Sequence, residues 1–119
     1  MNGGILLNYA NDTVISNVTM YAMGSAASAT NYTDYFVKAT NTSRLSIANC
    51  NVNGVNYNAV NLGVATDAFD VTGTMFYNCA GWIGSGTQGA AIISSAVTTK
   101  GNITGCSFIG TSGSAVPYV

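Results

Sequence analysis

The chain has no histidine and no glutamate, and its 119 residues carry only four acidic and three basic side chains. Without histidine, the usual general base near neutral pH and the commonest metal ligand are both missing. Three cations give a nucleic-acid partner almost no electrostatic support. Strong helix formers are scarce: Gln88 is the single glutamine, while Asn, Thr, Ser and Gly, which disfavour helix interiors, abound. There is one proline, and no apolar run approaches the ~20 residues of a membrane span. The start, Met1-Asn2-Gly3-Gly4, lacks the pattern of a signal peptide. What remains is a chain in which 48% of residues are hydrophobic, too many for disorder. These features predict one all-β domain of modest core. So few charges on so apolar a chain also predict an outer surface partly covered, by sister chains or by the rest of a longer protein.

Four segments share one pattern. They are Ile15-Ser16-Asn17-Val18-Thr19-Met20, Ile47-Ala48-Asn49-Cys50-Asn51-Val52, Val71-Thr72-Gly73-Thr74-Met75-Phe76 and Ile103-Thr104-Gly105-Cys106-Ser107-Phe108. The third position is always Asn or Gly, residues that share a tolerance of the left-handed backbone region. It predicts a one-residue corner of positive φ between two short strands, with apolar residues alternating on either side. The predicted inward columns are Ile15, Ile47, Val71, Ile103; then Val18, Cys50, Thr74, Cys106; then Met20, Val52, Phe76, Phe108.

A second set recurs at Phe36, Val60, Ile92 and Val116, each 13 residues before the next corner where one follows (36 to 49, 60 to 73, 92 to 105). The segment Gly4-Ile5-Leu6-Leu7 belongs to the preceding coil. Corners are spaced 32, 24 and 32 residues apart, so a superrepeat of 56 relates Cys50 to Cys106, Arg44 to Lys100 and Tyr21 to Tyr77. A fixed strand–corner–strand unit with variation confined to one connection is how a solenoid is written. The predicted fold is therefore all-β, a right-handed single-stranded parallel β-helix of about four coils over residues 1–119 as a single segment. A β-sandwich or jelly roll is the alternative, and Asn53-Gly54 is a hairpin signal in its favour.

The Asn/Gly corners and stacked aliphatics, from about Ile5 to Val119, resemble the pectate-lyase-like β-helix superfamily. Within it they are most like bacteriophage tailspike and appendage proteins. That resemblance implies a structural or receptor-binding element of a virion, or an extracellular or cell-surface protein. It would be assembled as a homotrimer or with neighbouring chains and would contact surface polysaccharide. A polysaccharide depolymerase (glycosidase or lyase) is the alternative on the same fold, followed by a bacterial adhesin and an ice-binding solenoid. The outward columns Ser16, Ala48, Thr72, Thr104 and Thr19, Asn51, Met75, Ser107 are too irregular for an ice-binding array.

The candidate site residues follow. Cys50 and Cys106 share a column two coils apart, too far for a disulfide, and Cys79 falls near a long connection; all three are expected as free thiols. No cysteine–histidine pattern predicts a metal, and no cofactor is implied. Asp12, Arg44, Ala68 and Lys100 align in one outward column, with Asp70 expected diagonally between Arg44 and Lys100, so these charges are expected to pair. If the protein is an enzyme, Asp67 and Asp70 are the only acids close enough in sequence to act as a pair, with Phe69 inward and Asp70 outward. The two long connections, from Tyr21 to Thr33 and from Tyr77 to Gly89, supply the ligand-binding candidates: Tyr21, Tyr32, Tyr77, Trp82 and Gln88. Aromatic faces suit sugar rings, and amides suit hydroxyls. Five Asn-x-Ser/Thr sequons (Asn11, Asn17, Asn31, Asn41, Asn102) are expected from composition alone and predict no glycosylation.

Overall fold

The computed structural model describes residues 4–21, 35–55, 58–79, 91–94 and 100–110, together with the backbone of 83–84 and 87–88. The described residues are strands and their connections, with no helix. A first tier consists of β1 (Ile5–Asn8), β2 (Val14–Ser16) and β3 (Thr19–Tyr21). A second repeats the order with β4 (Val37–Thr40), β5 (Ser43–Ala48) and β6 (Asn51–Asn53). The third contains β7 (Val60–Leu62), β8 (Asp67–Thr72) and β9 (Met75–Tyr77). Two short strands, β10 (Ile83–Gly84) and β11 (Thr87–Gln88), pair antiparallel. A fourth tier follows as β12 (Ile92–Ser94), β13 (Gly101–Thr104) and β14 (Ser107–Ile109).

Each tier gives one strand to each of three sheets, ordered β1-β4-β7-β12, β2-β5-β8-β13 and β3-β6-β9-β14. Every pairing within these sheets is parallel. A jelly roll or sandwich pairs its strands antiparallel, so that alternative is excluded. Asn53-Gly54 turns no hairpin. Gly54, at φ 80°, leads the chain out of the third sheet toward β7 in the first.

The expected corner column is present: Asn17, Asn49, Gly73 and Gly105 have φ of 56°, 54°, 57° and 62°. At Gly73 a β-carbon would come within 2.7 Å of Asn49 Oδ1, so a larger residue there would have to displace the Asn49 amide as well as adopt the positive φ. The sequence did not disclose further left-handed columns. Tyr9, Asn41 and Ala65 form one and Asp12, Arg44 and Ala68 another, all with φ between 50° and 56°. The residue after a corner turns inward, and in most of these positions it is a small donor. Thr42, Thr74 and Cys50 each donate to the carbonyl two residues back, at 3.1, 3.2 and 3.3 Å, while Thr66 Oγ1 donates across tiers to Ala39 O at 3.2 Å. These carbonyls also accept a backbone N–H from the neighbouring tier, so the side chain adds a second hydrogen bond that ties it to the turn.

Cys79 belongs to this set rather than to a loop. It follows the positive-φ residue Asn78, is buried, and sets its thiol 3.6 Å from Tyr77 O and 3.5 Å from Val52 O. Cys106 repeats the arrangement against Thr104 O and Val71 O. All three cysteines are free.

One register differs from expectation. Val37, not Phe36, is the partner of Val60, which in turn faces Ile92. Phe36 and Val37 are both buried, as are Ala59 and Val60, so hydrophobicity does not distinguish the two phases. The distance from this column to the corner is thus 12 residues in the second tier and 13 in the third (37 to 49, 60 to 73). The extra residue is local. Gly63 N–H donates to Ala39 O and Asn41 N–H to Val64 O, so Gly63 and Val64 together stand opposite Thr40.

Residues of all three sheets contribute to one apolar core. The inward columns pair as expected, Ile15–Ile47–Val71–Ile103 and Met20–Val52–Phe76–Phe108, with the Phe76 and Phe108 rings stacked at 5.3 Å. The inward side chains of the second tier are fully buried, whereas Phe69 in the third tier, Ile5 and Leu7 in the first, and Ile103 and Phe108 in the fourth remain half-buried.

Candidate functional site

Two outer surfaces carry the candidate residues. On the second sheet, β8 opens with Asp67 opposite Ser43 and continues to Asp70 opposite Ser46 and Asn102. The left-handed turn at Ala68 separates the two acids, and Phe69 packs against the core as expected. The Phe69 ring lies over the α-carbon of Gly101, and a β-carbon there would strike the ring and force it to move. Arg44, Leu45, Ser46, Ala68, Phe69 and Asp70 line a shallow depression of about 250 Å³.

The charges around it pair less widely than their alignment suggested. Arg44 forms a bidentate pair with Asp12, donating from Nε to Oδ1 and from Nη2 to Oδ2, the latter at 2.6 Å. The Arg44 hydrogen bond holds the Asp12 carboxyl below the usual carboxylate range, and Asp12 in turn raises the guanidinium. Asp70 stands two residues beyond this column and accepts a hydrogen bond from Thr72 Oγ1 at 3.2 Å. The expected four-charge network is therefore one ion pair among the described residues. Asp70 stands in the expected diagonal place, in a row with Ser46 and Asn102, while Arg44 turns to Asp12 instead. Asp67 and Asp70 are both exposed, unlike the enclosed carboxyl that serves as a catalytic acid. No group of three or more metal-ligating side chains occurs among the described residues.

The second surface is the outer face of the third sheet. Tyr21, Asn53 and Tyr77 are successive partners across β3, β6 and β9, and Ile109 of β14 completes the column. Because Met20, Val52 and Phe76 point inward, their neighbours in these strands point outward. Tyr21 is 66% exposed, Asn53 and Tyr77 less so. Thr19, Asn51, Met75 and Ser107 form the parallel outer column. Two of the five ligand-binding candidates, Tyr21 and Tyr77, thus fall in one column, about 9–10 Å apart at two strand spacings. Trp82 and Tyr32 lie outside the described residues; Gln88 is placed in β11 by its backbone alone. Sequence reasoning missed Asn53, although it lies 32 residues after Tyr21 and 24 before Tyr77, the tier spacing itself.

No protein-family model matches the chain, and neither the curated proteins nor the solved structures provide a significant match.

Proposed function

We propose that this chain is a right-handed parallel β-helix, with coils of 32 and 24 residues in alternation, serving as a structural and receptor-binding element of a phage tailspike or fibre. Three parallel sheets, each with its strands in chain order, support the solenoid reading. Crossovers between parallel strands are overwhelmingly right-handed, which supports the hand. The similarity to pectate-lyase-like β-helices rests on the corner column and stacked aliphatics. On this reading the protein assembles as a trimer or with neighbouring chains and contacts host surface polysaccharide.

The observation that carries the binding role is the outward Tyr21–Asn53–Tyr77 column, which alternates aromatic faces and an amide in register. Aromatic rings offer flat apolar surface to sugar rings, and an amide between them meets hydroxyls with both a donor and an acceptor. The test joins oligomeric state to adsorption on cells. Sedimentation of the full chain is expected to give a trimer that adsorbs to bacteria bearing surface polysaccharide and not to cells stripped of it. A monomer that adsorbs equally to both would end this reading. The depression beside Asp70 leaves polysaccharide cleavage as the second reading, to be judged by whether Asp67→Asn and Asp70→Asn abolish depolymerisation.

A further inference from the structure

Resting on that glycan-binding reading, we infer that the third-sheet face takes an uncharged glycan, laid along the stacking direction across the Tyr21 and Tyr77 rings. The argument is one of charge placement. The whole chain has three cations, and each belongs to another face. Lys38 is in β4 of the first sheet, with its Nζ 6.0 Å from the centre of the Tyr35 ring. Arg44 is held by Asp12 at the second sheet, and Lys100 immediately precedes β13 of that sheet. The outer columns of the third sheet present hydroxyl, amide, thioether, aromatic and aliphatic groups, from Thr19 and Tyr21 at one end to Ser107 and Ile109 at the other. A uronate, sialate or sulfate laid here would lose hydration with no cation to replace it. A neutral sugar exchanges water for ring stacking and amide–hydroxyl hydrogen bonds, and this face supplies both. Because the columns follow the tiers, the ligand repeats along the stack and meets a ring, an amide and a ring in turn.

The experiment is affinity electrophoresis of the full chain against immobilised neutral glucans, galactans and mannans, and against uronate-containing and sulfated polymers, at low and high salt. The expected result is retardation by at least one neutral polymer, unchanged by salt. Tyr21→Ala and Tyr77→Ala are expected to weaken it about tenfold each, and Lys38→Ala to leave it unaltered. Asn53→Asp serves as the second variant should an alanine variant fail to fold; it keeps the side-chain shape while removing the amide donor, and is expected to weaken retention too. Preferential, salt-sensitive retention by acidic polymers, lost in Lys38→Ala or Lys100→Ala, would overturn the inference while leaving glycan binding in place. Retention by no polymer of either kind overturns the inference and the glycan-binding reading together.

Discussion

At the scale of single residues, the corners explain an otherwise odd use of cysteine. A left-handed residue turns the chain, and at several corners the next side chain is small, points inward and adds a second hydrogen bond to a carbonyl already in the ladder. Threonine and cysteine both fit, which is why Cys50, Thr74 and Cys106 alternate in one column and Cys79 plugs another corner. Burial pushes the Cys79 thiol up to about 11 from an ordinary 9.0. Below pH 9 the thiol is protonated in both the folded and unfolded chains, and the stabilisation is fully present. From pH 9 to about 11 the unfolded chain releases the proton and the fold retains it, so stability falls as pH rises, by roughly 2–3 kcal/mol across the window. The measurement is a difference between wild type and a variant without the thiol. The urea midpoint of wild type is expected to drop more steeply above pH 9 than that of Cys79→Thr; parallel curves would refute the assignment.

At the scale of elements, the bulge at Gly63-Val64 accounts for the register that hydrophobicity left ambiguous. Two residues oppose Thr40 there, and the chain regains phase at Ala65, whose left-handed backbone matches Asn41. Removing Val64, which is 69% exposed, would make the step from Leu62 to Asp67 equal to that between their partners Ala39 and Ser43. The deletion is expected to fold, with a loss of no more than about 1 kcal/mol, because no inward side chain changes face. Deleting Asn61 instead reverses Leu62 from core to solvent and is expected to unfold the chain; the two deletions can be compared by circular dichroism and urea titration. If both fold alike, β7 is not held in this register. The same contrast marks what was legible in the sequence. The corner at Asn17, Asn49, Gly73 and Gly105 could be read because Asn and Gly seldom coincide for another reason. The corners at Asp12, Arg44 and Ala68, and at Tyr9, Asn41 and Ala65, mix Asp and Asn, which tolerate positive φ, with Tyr, Arg and Ala, which ordinarily avoid it, so neither column is marked by a consistent residue type. Of the site, the Tyr21–Tyr77 pairing was legible through the 56-residue spacing. Asn53 was not, because asparagine is too common in this chain for one instance to stand out.

At the scale of the molecule, a stack of tiers makes stability a sum over neighbours. Each tier contributes its own three strands and gains further from every tier laid against it. The inward isoleucines of the second sheet sample this directly, since Ile15, Ile47 and Ile103 occupy one column with the same chemistry and different neighbours. Ile47 lies between two tiers and is fully buried, Ile15 is 7% exposed, and Ile103, in the fourth tier, is half-buried. Truncating Ile47 to alanine opens a cavity enclosed on both sides and is expected to cost about 3–5 kcal/mol. Ile103→Ala removes surface that water already reaches, and about 1–2 kcal/mol is expected. Ile15→Ala should fall between them. Urea denaturation of the three variants, at a protein concentration where the oligomeric state is known, gives the order directly. Should Ile103→Ala cost as much as Ile47→Ala, the face beyond the fourth tier is covered in solution. A cost that then fell on dilution would trace the covering to another chain, because an intermolecular contact is lost by mass action and an intramolecular one is not.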